Sequence, residues 1–145
     1  MNFDPSAFIA DSELIEALEK RSIEVSCDGE YLLFRQGDPP VGLFILNKGE
    51  VTLSMTSPEG DEALSIQVTS GALIGLPGLI GNEPYTLTAL AGDGARLSFV
   101  TREDFNAVML SDPKLSLKVL QVLAAEVRAA RQATLDLMPS SARVD

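Results

Sequence analysis

The sequence predicts a mainly β fold with flanking helices: a double-stranded β-helix (jelly-roll) barrel with a short N-terminal helix and a long C-terminal helix. Three observations carry this. Short apolar runs divided by Gly, Pro and Asp recur at roughly ten-residue spacing between residues 23 and 100. Helical periodicity appears only before and after that stretch. The 145 residues, 46% hydrophobic and 22% charged, suit one globular domain. The barrel is expected over about 23–100 and the C-terminal helices over about 101–138.

Ser12 to Arg21 reads as the short helix, with Leu14, Ile15 and Leu18 on one face, Glu16 spaced to pair with Lys20, and Ser12 as its cap. Strands are expected at Tyr31–Arg35, Leu43–Asn47, Glu50–Met55, Ala63–Val68, Thr86–Leu90 and Arg96–Val100. Gly37-Asp38-Pro39-Pro40 is a rigid corner that continues neither neighbouring strand. Asn47-Lys48-Gly49 reads as a hairpin turn with Gly49 at positive φ, and Ser57–Asp61 as a second hairpin turn. Thr101-x-x-Asp104 has the form of a capping box ahead of an apolar face of Phe105, Val108 and Met109. Ser111-Asp112-Pro113 ends that helix and starts the next, from Lys114 to about Met138. On it, Leu120, Leu123, Val127, Ala130, Thr134 and Leu137 keep the alternating three–four spacing of a helix pair, while Leu115, Val119 and Val122 face the barrel. One helix cannot bury both faces against its own small domain, so a homodimer through this stripe is expected.

The formal net charge is −10, from 11 Lys and Arg against 21 Asp and Glu. Such a surface repels phosphate backbones, so no nucleic-acid partner is expected. No run approaches the roughly 20 apolar residues of a membrane span, and the N-terminus has no signal-peptide pattern, so a cytoplasmic protein with no membrane partner is expected. The single cysteine, Cys27, reads as a small core hydrophobe. With no histidine, no paired-acid motif and no nucleophile motif, the sequence predicts no enzyme, no metal site and no cofactor. Glu59, Asp61 and Glu62 read as solvated turn charges. Arg35 reads as a surface charge, while Arg96, Arg102, Arg128 and Arg131 could pair with a phosphate from outside the loop at 75–86. Of these, Arg128 and Arg131 read rather as solvent-facing partners of nearby acids such as Glu126.

Gly29-Glu30, Gly37-Asp38, the apolar run Leu43–Leu46 and Gly49-Glu50-Val51 together resemble the opening of the cyclic-nucleotide-binding domain of the catabolite-activator (Crp/Fnr) family. The resemblance runs from about Ile15 to Leu137. It implies a regulatory module in signal transduction or transcription regulation, with paired long helices. In the DNA-binding members a helix-turn-helix domain follows the long helix. This sequence ends before it, so a single domain over 1–145 is expected.

The family's ligand cassette places a Gly-Glu pair at a short helix start, for backbone and ribose contacts, and an Arg farther on for the cyclic phosphate. The matching stretch is Gly75-Leu76-Pro77-Gly78-Leu79, continuing to Pro84-Tyr85-Thr86. Leu76 stands where the resemblance puts the glutamate, and Tyr85 where it puts the arginine. Pro77 also removes one backbone N–H. These departures imply that cyclic AMP is not held in the usual way. Two readings of the stretch stay open. In the leading one the pocket is vestigial, and the protein acts through dimerisation and contact with a regulatory partner. In the other it is re-lined for a nucleotide or another small molecule, with Tyr85, Thr86 and Thr88 as polar handles.

Overall fold

The computed structural model describes residues 3–137; Met138, the expected helix end, and the side chain of Leu137 lie outside the described residues. A 3-10 turn at Pro5–Phe8 leads into helix α1, Ser12–Glu19. Eight strands follow: β1 Ile23–Ser26, β2 Tyr31–Phe34, β3 Gly42–Lys48, β4 Val51–Thr56, β5 Glu62–Val68, β6 Leu73–Ile74, β7 Thr88–Ala91 and β8 Arg96–Thr101. A short helix α2, Leu76–Gly81, interrupts them after β6, and α3 (Arg102–Ser111) and α4 (Pro113–Leu137) close the chain. The strands form two antiparallel four-stranded sheets, ordered β1-β8-β3-β6 and β2-β7-β4-β5. This is the mainly β architecture with flanking helices that the sequence predicts.

Two strands lie outside the predicted set. β1 alternates poorly, with Ile23 and Glu24 both exposed, and β6 has two residues, too few to show a period. The turn at Asn47-Lys48-Gly49 is also corrected. Gly49 does adopt φ 90°, but β3 pairs with β6 and β8 whereas β4 pairs with β5 and β7. The turn is a corner between sheets, not a hairpin. A Cβ on Gly49 would stand 2.9 Å from Ala95 Cα, so glycine is required there on two counts. Ser57–Asp61 does close a hairpin, its ends joined by the Ser57 N–H to the Asp61 carbonyl at 2.7 Å.

The two sheets enclose one core, built on Phe34, Phe44, Leu46, Leu53, Ile66 and Leu97. Cys27 packs into it, and burial pushes its thiol pKa up. The other face of the β3 sheet carries a second core, in which Leu43, Ile45 and Val100 meet residues from all four helices. β3 is therefore buried on both faces, which explains its unbroken Leu43–Leu46 run.

Asp11, not Ser12, caps α1, its carboxylate accepting from the Glu13 N–H at 2.9 Å. α1 ends at Glu19, which leaves Lys20 at its C-cap, and no Glu16–Lys20 ion pair forms. The cations reach between elements instead: Lys118 of α4 lies 3.1 Å from Asp11 and 3.7 Å from Glu13, and Arg21 lies 3.5 Å from Asp104 of α3. Thr101 caps α3, its hydroxyl accepting from the Asp104 N–H at 3.1 Å. Along α4, Leu115, Val119, Val122, Ala129 and Ala133 are buried. Each of the three larger ones contributes about 1.5–3 kcal/mol by leaving water. Ala129 lies beside the N-terminal segment, sharing a surface cleft with Asp4 and Pro5.

Candidate ligand-binding site

The cassette folds as its glycines dictate. Gly75 takes φ 94° at the N-cap of α2, and Pro77 sits in the first turn. Tyr85 then runs back under the helix. Its backbone is clasped by the Gly37–Pro40 corner: the Gly37 N–H donates to the Tyr85 carbonyl at 2.7 Å, and the Tyr85 N–H donates to the Asp38 carbonyl at 3.0 Å.

The Tyr85 side chain is buried, and its ring stacks on Phe34 with centroids 3.8 Å apart. Its hydroxyl donates to the Gly42 carbonyl at 2.7 Å and accepts from the N–H groups of Val41 and Gly42 at 3.1 and 3.3 Å. A phenol has one donor and limited acceptor capacity, so no valence is left for a ligand. The ring also lies against the cassette glycines: a Cβ on Gly75 or Gly78 would stand 3.1 or 3.3 Å from it. The recess floored by these glycines is thus filled from within.

The expected site residues separate into two groups. Gly75, Pro77, Gly78, Tyr85 and Thr86 line a narrow cleft of about 40 Å³. Leu76 and Leu79 turn away from it into the second core. Thr86 is exposed at the mouth of the cleft, while the Thr88 hydroxyl is taken by the Gln36 N–H at 2.9 Å. Among the described residues no cluster of three or more carboxylates or thiols is placed to hold a metal ion.

The cleft opens into a larger chamber of about 410 Å³ between the barrel and α4. Phe3 and Phe8 close one side, Leu64, Ile66 and Leu87 form the barrel wall, and Leu123, Val127, Ala130 and Thr134 bound it along α4. Among the described residues, one charged side chain faces this chamber. Glu126 lies in register with the buried stripe Leu115, Val119, Val122, Ala129 and Ala133, so its carboxyl points where a core residue would. Its Oε2 is sheltered from solvent and has no hydrogen-bond partner. Burial pushes its pKa up to about 8. The expectation that Glu126 is a solvated partner of Arg128 and Arg131 is corrected, since both arginines are exposed and neither pairs with it. The signal was in the spacing: extending 115, 119 and 122 by four residues lands on 126.

Of the expected pairing stripe, Leu120, Val127, Ala130 and Thr134 are exposed, and the side chain of Leu137 lies outside the described residues. Leu120 and Val127 are 59% and 51% exposed, but Leu123 is half-buried against its own domain. Leu117, at 60% exposure, extends the exposed stripe toward the start of the helix.

Residues 24–112 match the cyclic nucleotide-binding domain family. The chain belongs to that family. Among characterised proteins similar to it, a CRP-like cAMP-activated global transcriptional regulator of Mycobacterium tuberculosis is 25% identical over 124 residues, covering 86% of this chain and 55% of the regulator. The chain thus spans about half the length of that relative. Among solved structures, the N-terminal domain of a transcriptional regulator from Streptomyces coelicolor is 28% identical, with a TM-score of 0.64 and coverage of 92% of both chains. The Thermus thermophilus catabolite activator protein shares the fold, with a TM-score of 0.74 at 24% identity over 92% of this chain and 62% of its own. The cyclic nucleotide-binding domain is a regulatory fold, not a catalytic one. Because the Mycobacterium and Streptomyces proteins are transcriptional regulators, they lend no support to the expectation of a protein that works apart from nucleic acid. No described helix is long and apolar enough to cross a membrane.

Proposed function

We propose that the chain is a non-enzymatic regulatory module that retains the cyclic nucleotide-binding fold but does not hold cyclic AMP in the usual way. It acts by pairing α4 with a second copy and by contacting a regulatory partner. Tyr85 carries the first part of this reading. It occupies the glycine-floored recess, spends its hydroxyl on the backbone at residues 41 and 42, and supplies no positive charge to a phosphate. The pairing rests on the exposed stripe of Leu117, Leu120 and Val127, since the opposite face of α4 is already buried. Calorimetric titration of the full chain with cyclic AMP tests the ligand claim. No saturable binding is expected, and a micromolar dissociation constant, about −8 kcal/mol, would overturn it.

A second reading has its own support. The chamber beside α4 has the size of a small-molecule site and a mostly apolar wall. On this reading the module is a sensor whose ligand sits outside the filled recess.

A further inference from the structure

The chamber's chemistry narrows what such a sensor would take, an inference that rests on the second reading above. Its wall is apolar except for Thr86, Thr134 and Glu126. Of the described residues lining it from the N-terminal segment, β4, β5, the cassette and α4, none but Glu126 is titratable. The inner cleft adds only Tyr85, whose hydroxyl is already spent. A sheltered carboxyl oxygen without a partner is costly to keep, and a donor entering the chamber would relieve that cost. Anions are disfavoured by a net charge of −10 and, once its carboxyl is ionised, by Glu126 itself. A positively charged donor gains from both, and forms the stronger, charge-assisted hydrogen bond.

We propose that the chamber binds a hydrophobic cation: a small molecule with an aromatic or branched alkyl body and one protonated amine that pairs with Glu126. The body lies against Phe8, Leu64, Ile66 and Leu87, and the amine reaches inward to Oε2. Since the Glu126 carboxyl ionises near 8, binding near neutral pH releases its proton to solvent. Affinity for the amine therefore rises with pH until the carboxyl is ionised.

Three probes sharing one skeleton test this on the full chain: naphthylethylamine, naphthylethanol and naphthylacetate, each titrated by calorimetry. The amine should bind at least about tenfold more tightly than the alcohol, as a charge-assisted bond exceeds a neutral one. The acetate should bind most weakly. Amine affinity should fall by about tenfold per pH unit below 8, while alcohol affinity stays flat. Glu126→Gln should reduce the amine to the level of the alcohol, and retained alcohol binding shows that the variant's chamber is intact. Equal affinities for all three probes, or an amine preference that survives Glu126→Gln, overturn the cation and leave the sensor reading standing. If none of the three binds, both are overturned.

Discussion

Replacing Glu126 by glutamine separates the charge of the chamber from its shape. The carboxyl ordinarily ionises at 4.5, and burial pushes that to about 8 in the folded chain. As pH rises between those values, the unfolded chain has given up this proton while the folded chain still holds it. The folded state then binds more protons, so the free energy of unfolding falls by about 1.4 kcal/mol per pH unit. From pH 5 to pH 7 the loss comes to about 2–3 kcal/mol, a large share of a domain's usual stability of roughly 5–15 kcal/mol. Other shifted groups act outside this window. Asp4 and Asp11, lowered by hydrogen bonds to Ser6 and to Lys118, lose their contribution only in more acid solution. Lys118 and Cys27, both raised, act only in more alkaline solution. Urea unfolding at pH 5, 6 and 7 should therefore show wild-type stability declining and the Glu126→Gln line running flatter by about 1 kcal/mol or more per unit. The amide brings buried donors of its own and lowers absolute stability, so the difference in slope is the quantity to read. Parallel lines for the two proteins would show that Glu126 is already ionised in the fold, and the reasoning would fail.

Tyr85→Phe keeps the stack on Phe34 but removes the hydroxyl that bridges Gly42 and Val41; a loss of about 1–3 kcal/mol is expected in urea unfolding, and an unchanged midpoint would show that the bridge contributes nothing. Leu120→Glu and Val127→Glu place a charge in the exposed stripe, so each should convert a dimer to a monomer in light scattering and remove any dependence of the unfolding midpoint on protein concentration. A wild type that stays monomeric at tens of micromolar would refute the pairing.

Much of the fold could be read from the chain because barrel strands announce themselves locally. Gly37, Gly49 and Gly60 punctuate runs that alternate or stay apolar, and all three have positive φ. What could not be read is sheet membership. The residues that turn a chain within a sheet also carry it from one sheet to the other, so Asn47–Gly49 reads the same in either role. The site was half legible. That Leu76 and Tyr85 depart from the nucleotide chemistry is visible in the cassette itself. That Tyr85 closes the recess depends on Gly42, 43 residues earlier, and no local pattern reports that contact. Glu126 was missed because a charge on a helix suggests solvent, although its spacing from Leu115, Val119 and Val122 placed it on the buried face. Leu123 shows a smaller departure: it is half-buried, whereas Leu120, Val127, Ala130 and Thr134 of the same stripe are exposed.

Cys27 makes this protein unusually convenient for spectroscopy. It is the sole thiol in the sequence, it packs inside the barrel, and its raised pKa keeps little of it as reactive thiolate near neutral pH. Native protein should thus be nearly blind to maleimide reagents, and no cysteine-free background is needed. A single exposed position on α4, such as Arg131→Cys, would carry a spin label or fluorophore alone. Distances between two such labels would then track how the long helices sit in solution, in the same otherwise unaltered chain whose chamber is being titrated.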